Sequence, residues 1–163
     1  MSRRQRIHET VVLFMVGDHR FAISANTVEE ICELGTLTPL SAGCGRNRVA
    51  RSTFDRRGKR YLAVDAAAHF HIPESVPQHI LVLRGADVGV LIGSIDRMHE
   101  INELYSLPRA LSGEEQTWYR GLALVAGQIV PLVEPASFLP GGTTRANALY
   151  VSKTPDIGEA ISA

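Results

Sequence analysis

The apolar residues of this chain come in short runs broken by turn-forming residues, a pattern of strands rather than of long helices. Val11-Val12-Leu13-Phe14-Met15-Val16, then Gly17-Asp18-His19, then Arg20-Phe21-Ala22-Ile23 reads as strand, tight turn, strand, with Gly-Asp supplying the turn. Ile80 to Leu83, Gly85-Ala86-Asp87 and Val88 to Ile92 repeat that statement. Lys59 to Val64 and Gln128 to Val133 are two more strands. Each comes after a glycine, Gly58 or Gly127, and each ends on an acid, Asp65 or Glu134. Short helix-like stretches come after the acids, Ala66 to Phe70 and Ala136 to Leu139, and the acids are placed to cap them by accepting from free backbone N–H groups.

These landmarks share an offset. Val11 to Ile80, Gly58 to Gly127 and Asp65 to Glu134 are each 69 residues apart, Gly17 to Gly85 is 68, and Val28/Ile31 to Ile95/Met98 is 67. A repeated order of elements implies a repeated structural unit. The expectation is an all-β fold of two tandem small five-stranded barrels, SH3-like or OB-like, packed together with short helices. The first barrel would cover about 11–71 and the second about 80–139, since closure disposes of edge strands at this size. The segment His71 to Gln78, with Pro73 and Pro77, would join them. Residues 1–10 read as a basic N-terminal tail, and the breaker Pro140-Gly141-Gly142 opens a weakly patterned C-terminal tail, 140–163.

Composition adds exclusions. The 163 residues hold 17 Lys+Arg and 17 Asp+Glu, a formal net charge of zero, with 45% hydrophobic residues. The longest apolar run is six residues, Val11 to Val16, far short of the ~20 that span a bilayer. It is also too short to serve Ser2-Arg3-Arg4 as an export signal, so a cytoplasmic location is expected, without membrane insertion. Cys32 and Cys44 match no zinc or C-x-x-C spacing. The neutral total hides a polarity: Arg46, Arg48, Arg51, Arg56, Arg57, Lys59 and Arg60 stand against Asp55 alone, a local net charge of +6 in fifteen residues.

Three stretches in order resemble the CheW-like coupling proteins of bacterial chemosensory systems. Phe21-Ala22-Ile23 followed by Val28-Glu29-Glu30-Ile31 resembles the family's strand and its Val-x-Glu-Ile. Arg57-Gly58 followed by Val64-Asp65 resembles its Asn-Leu-Arg-Gly-x-x-x-Pro-x-x-Asp segment. Val88 to Ile92, and Gly121-Leu122-Ala123 through Gly127 to Glu134, resemble the signatures of its second half. The likeness covers about 11–139. Departures are Ser52 for a glycine, Asp55-Arg56 for Asn-Leu, Leu62 for the proline and Gly93 for an acid. The resemblance implies a non-enzymatic adaptor that binds the regulatory domain of a CheA-type histidine kinase and the cytoplasmic tip of a methyl-accepting chemoreceptor. It also implies a receptor-facing groove between the barrels involving Val28, Ser52 and Arg57.

Arg57 is the leading candidate for partner binding, beside Gly58 and Arg56, and Glu30 is its candidate ion partner. A planar guanidinium with five donors suits such a contact. Against this, Arg57 could be a solvated loop charge, and Val28 and Ile31 could be plain core residues. His69, His71 and His79 lack a neighbouring ligand set, so no metal or other cofactor is expected. Trp118-Tyr119 could anchor an interface or simply pack. No Gly-rich phosphate loop, H-E-x-x-H or G-x-S-x-G is present, which speaks against an enzyme. The alternative reading is a small nucleic-acid-binding barrel using the basic loop 46–60, although only Phe54 and Tyr61 stand near it for stacking.

Overall fold

A computed structural model describes residues 3–40, 50–73, 75–111 and 113–139 of the chain. The elements are β1 (Arg4–Val16), β2 (His19–Ser24), β3 (Val28–Glu33), β4 (Thr38–Pro39), β5 (Ala50–Arg56), β6 (Lys59–Asp65), α1 (Ala66–His69), β7 (His79–Leu83), β8 (Val88–Ile92), β9 (Ile95–Tyr105), α2 (Glu115–Trp118), β10 (Tyr119–Val125) and β11 (Gln128–Val133). A 3₁₀ turn precedes β3 at Ala25–Thr27 and another succeeds β11 at Pro135–Phe138. The expected hairpins are present: β1 pairs β2 from Val16↔His19 to Val11↔Ser24, and β7 pairs β8 from Val82↔Gly89 to His79↔Ile92. Asp65 accepts from Ala67 N at 3.0 Å and Glu134 from Ala136 N at 3.2 Å, so both acids cap the short helices after them.

The strands do not assort into consecutive halves. One closed barrel runs β1-β2-β11-β10-β9, joining the first two strands to the last three, and a six-stranded sheet runs β3-β7-β8-β6-β5-β4. The expected division at 11–71 and 80–139 is therefore corrected: the opening hairpin of each half is exchanged into the other half's sheet. The exchange rests on two parallel pairings, β2 with β11 at Ala22↔Leu132 and β6 with β8 from Leu62↔Val88 to Asp65↔Leu91. Of the expected N-terminal tail, 1–10, residues 4–10 are strand instead, because β1 begins at Arg4 and pairs β9 from Arg4↔Tyr105 onward. The expected C-terminal tail, 140–163, lies outside the described residues, as do Cys44, Arg46 and Arg48.

Burial explains the unbroken apolar runs. Val11 and Leu13 face the barrel interior with Ile101, Leu104, Val130 and Leu132, while Val12, Phe14 and Val16 face a core shared with the second sheet. A strand covered on both faces carries a continuous apolar sequence rather than an alternating one. β7 is built likewise: Leu81 and Leu83 enter the shared core, and Ile80 and Val82 pack with Phe54, Tyr61 and Leu91 on the other face. Completely buried side chains such as Phe14 and Leu81 each stabilise the fold by about 1.5–3 kcal/mol relative to exposure.

The 69-residue repeat survives in the strand order. Taken around the barrel the order is β9-β1-β2-β11-β10, and the second sheet has β3-β7-β8-β6-β5 in the corresponding places. The difference lies at the seam. In the barrel, β9 meets β10 at Tyr105↔Leu122 and Leu104↔Ala123. Gly121 permits that approach, since a Cβ there would lie 2.6 Å from Tyr105 O. The matching position in β5, 69 residues earlier, is Ser52, which carries a Cβ and pairs with Pro39 of β4 instead. No backbone pairing joins β3 to β5 among the described residues.

Candidate partner-binding site

The open seam between β3 and β5 is bridged by side chains. Glu30 of β3 receives two hydrogen bonds from Arg56, the last residue of β5: Nε to Oε1 at 2.9 Å and Nη2 to Oε2 at 2.7 Å. This fork geometry matches a planar guanidinium to a carboxylate. Arg57 adds a longer contact, Nη2 to Oε2 at 3.5 Å, from a side chain that is 76% exposed. The Glu30 carboxyl is held below the usual carboxylate range first by the Arg56 hydrogen bonds, which with the charges of Arg56 and Arg57 outweigh its partial burial. Cys32, two residues along β3, has its thiol pushed up by burial, against the opposing pull of the Arg56 charge.

The backbone displays this pair at a turn. Arg57 and Gly58 form the two-residue loop between β5 and β6, closing on Arg56↔Lys59, with φ of 53° and 75°. Two successive positive φ values are the mark of a type I′ hairpin, where glycine is favoured. The equivalent loop of β10 and β11 is Ala126-Gly127, with φ of 49° and 79°. Arg57 is thereby pushed to the tip of its hairpin, while Arg56 stays on the strand and faces Glu30.

Four of the six sequence candidates thus meet at one place: Glu30, Arg56, Arg57 and Gly58. The principal partner of Glu30 is Arg56, with Arg57 secondary, which reverses the order expected from the sequence. Val28 is 8% exposed and belongs to the shared core, so its side chain serves packing, not a surface groove. Ser52 stands four residues up β5 from Arg56, about 13 Å along the strand. Two further ion pairs leave no sign in the sequence: Lys59 Nζ lies 2.8 Å from Asp87 Oδ1, and Arg60 Nε lies 3.1 Å from Asp55 Oδ1. Arg56, Arg57, Lys59 and Arg60 are therefore matched by Glu30, Asp55 and Asp87, and the exposed field of this stretch is weaker than the local +6 implies.

Two departures from the family pattern have local causes. Leu62 N donates to Asp87 O at 2.9 Å, a bond that proline at that position would lack. Gly93 N donates to Met15 O at 2.8 Å, and a Cβ at Gly93 would lie 2.8 Å from the same oxygen. An acidic side chain there would push β8 away from β1.

The histidines are dispersed in role. His69 packs among Phe70, Trp118 and Phe138, and burial, aided by the nearby His71, lowers its pKa to about 4. His71 lies 3.5 Å from Glu114, and His79 Nδ1 donates to Gly93 O at 2.9 Å. Among the described residues no group of three or more His, Cys, Asp or Glu is arranged to hold a metal ion, and no helix is long and apolar enough to cross a membrane. Trp118 is buried at 8% exposure, which makes it a packing residue.

The family model for the CheW-like domain matches residues 10–141, and the chain belongs to that family. Among solved structures the chain is similar to the scaffolding protein TtCheW from Thermoanaerobacter tengcongensis, at 13% identity and a TM-score of 0.69, covering 85% of this chain and 92% of that one. At this identity the likeness establishes the fold. No curated protein matches the sequence significantly.

Proposed function

We propose that this chain is a non-enzymatic chemosensory adaptor, cytoplasmic, that couples methyl-accepting chemoreceptors to a CheA-type histidine kinase by protein contacts. Membership of the CheW-like family over residues 10–141 carries the reading. The contact region is the hairpin tip around Arg56, Arg57 and Gly58 with Glu30 beneath it. Arg57 reaches the partner, because it is exposed and only loosely tied to Glu30. Arg56 and Glu30 fix the shape of the tip. Ser52 lies on the same strand at the margin of this region, and Val28 supports it from the core. The nucleic-acid alternative is disfavoured because Phe54 and Tyr61, the aromatic residues beside the basic stretch, are buried and stacked on each other, which leaves neither ring to stack on a base.

The test is bridging: receptor-tip fragments on beads are mixed with the regulatory domain of a kinase from the same genome, with and without this chain. Retention of the kinase domain only when the chain is present supports coupling. Absence of binding to every receptor and kinase of that genome rejects it.

A further inference from the structure

We propose that the N-terminal arginines build an anion site on the barrel that takes a phosphate-bearing small molecule. A cavity of about 500 Å³ opens where the start of β1 meets the end of β9 and the start of β10, and Arg3, Arg4, Leu104, Tyr105, Ser106 and Arg120 line it. Its volume lies in the range of small-ligand sites. Three arginines line it, and no carboxylate belongs to its wall among the described residues.

Each arginine is tied to the barrel, two through the side chain and one through the backbone. Arg120 Nη1 donates to Glu9 Oε1 at 2.9 Å, and Glu9 is itself fixed by the buried Ser24, whose Oγ donates to it at 2.8 Å. Arg4 Nη1 lies 3.4 Å from Glu103 Oε1, and Tyr105 donates its hydroxyl to the other oxygen of Glu103 at 2.8 Å. Arg3 is tied by its backbone, its N donating to Ser106 Oγ at 2.8 Å and its O accepting from Ser106 N at 2.9 Å. The carboxylates thus orient two guanidinium groups while leaving donors for a ligand, since each pairing engages only Nη1 of a five-donor group.

The backbone is shaped to the same end. The β10–β11 register slips between Tyr119 and Gly121, which makes Arg120 the extra residue of a bulge, and β1 slips against β9 between Arg6 and Glu9. Bulges re-aim side chains and are found at barrel rims. Gly121 lets the bulged strand close on Tyr105 and Leu104, bringing Arg120 to the wall they form. Guanidinium groups arriving from β1 and β10 suit a phosphate, whose oxygens point in several directions, better than a planar carboxylate, which one or two arginines saturate. Tyr105, whose ring stands on the outer face of β9, offers an apolar surface to an organic moiety. This site lies on the barrel, apart from the Glu30–Arg56 seam, and stands or falls independently of the adaptor reading.

The experiment is calorimetric titration of the full chain with inorganic pyrophosphate and with ADP, at two salt concentrations. Both should bind below about 1 mM and weaken with salt, and Arg3→Gln and Arg120→Gln should each cost about tenfold or more. Arg3 is held through its backbone, so Arg3→Gln tests the site with the fold intact even if Arg120→Gln disturbs Glu9. Tighter binding of ADP than of pyrophosphate means that the organic part is also recognised, and equal binding means that the phosphates alone are; either supports the site. Failure of both probes to saturate below about 1 mM overturns it, as does binding indifferent to Arg3→Gln, or a glutamate-rich peptide binding as tightly as pyrophosphate.

Discussion

His69 gives the sharpest test of the packing that joins the two sheets. Its ring centre lies 4.7 Å from that of Phe138, 4.9 Å from Phe70 and 5.4 Å from Trp118, and its Nε2 is 3.3 Å from Ser137 Oγ. Burial in this apolar setting disfavours the imidazolium and lowers the pKa to about 4, against 6.5 for a free imidazole. The unfolded chain therefore binds more protons than the folded one between those values. The stability this group contributes is complete above pH 6.5 and is lost as pH falls toward 4. The difference amounts to about 3 kcal/mol over the whole window, of which about 2.5 kcal/mol is gone by pH 4.5. His69→Phe keeps an aromatic ring and removes the titration. Urea unfolding followed by the fluorescence of Trp118, the single tryptophan, gives the free energy of unfolding at each pH. Between pH 7.5 and 4.5 the wild-type chain should lose about 2–3 kcal/mol more than the variant. Parallel pH profiles for the two proteins, within about 0.5 kcal/mol, would refute the burial argument, as would a wild-type chain that gains stability on acidification.

Three other substitutions probe different parts of the fold. Gly89→Ala places a Cβ 2.4 Å from Phe54 Cζ and 2.7 Å from Ile80 Cγ2, and should cost about 1–3 kcal/mol by overpacking, measured by urea unfolding. Gly58→Ala meets open space but keeps a φ of 75°, so its cost should be backbone strain alone, about 1 kcal/mol, read from the thermal midpoint. At the seam, Glu30→Gln should lower stability at neutral pH and flatten its dependence on acid below the ordinary glutamate range, because the Arg56 hydrogen bonds favour the ionised carboxyl. Equal acid profiles for wild type and Glu30→Gln would contradict that pairing.

Local features were legible in the sequence wherever a residue's own chemistry decides them. Gly17-Asp18 announces its turn, Asp65 and Glu134 cap the short helices after them, and the 69-residue spacing exposes the repeat, whereas residues 50–60, expected as part of a basic loop 46–60, belong to the β5–β6 hairpin with its turn at Arg57-Gly58. The choice of strand partners stayed hidden. Val11 to Val16 says that β1 is covered on both faces but not by which strands, and the Ala22↔Leu132 pairing joins residues 110 apart in sequence. Charged residues 4–10 hide a strand because its pairing with β9 is made by backbone. At the site, the family likeness drew attention to Arg57, while Glu30 is gripped by Arg56, a residue the family pattern does not supply. Strand alternation carried the missing signal, since Arg56 shares the face of Phe54 in β5 and that face turns toward Glu30 and Cys32.

The central claim is that the Arg57 tip engages a signalling partner, and equilibrium titration tests it most directly. The kinase regulatory domain and the receptor tip are each titrated into the wild-type chain and into Arg57→Glu, with unfolding measured to show that the variant is folded. Reversible coupling calls for dissociation constants around micromolar, about −8 kcal/mol, for at least one partner, and for a loss of about tenfold or more in Arg57→Glu. Micromolar binding that Arg57→Glu leaves unchanged would contradict the placement of the site, and no measurable binding of either partner by the wild-type chain would contradict the account as a whole.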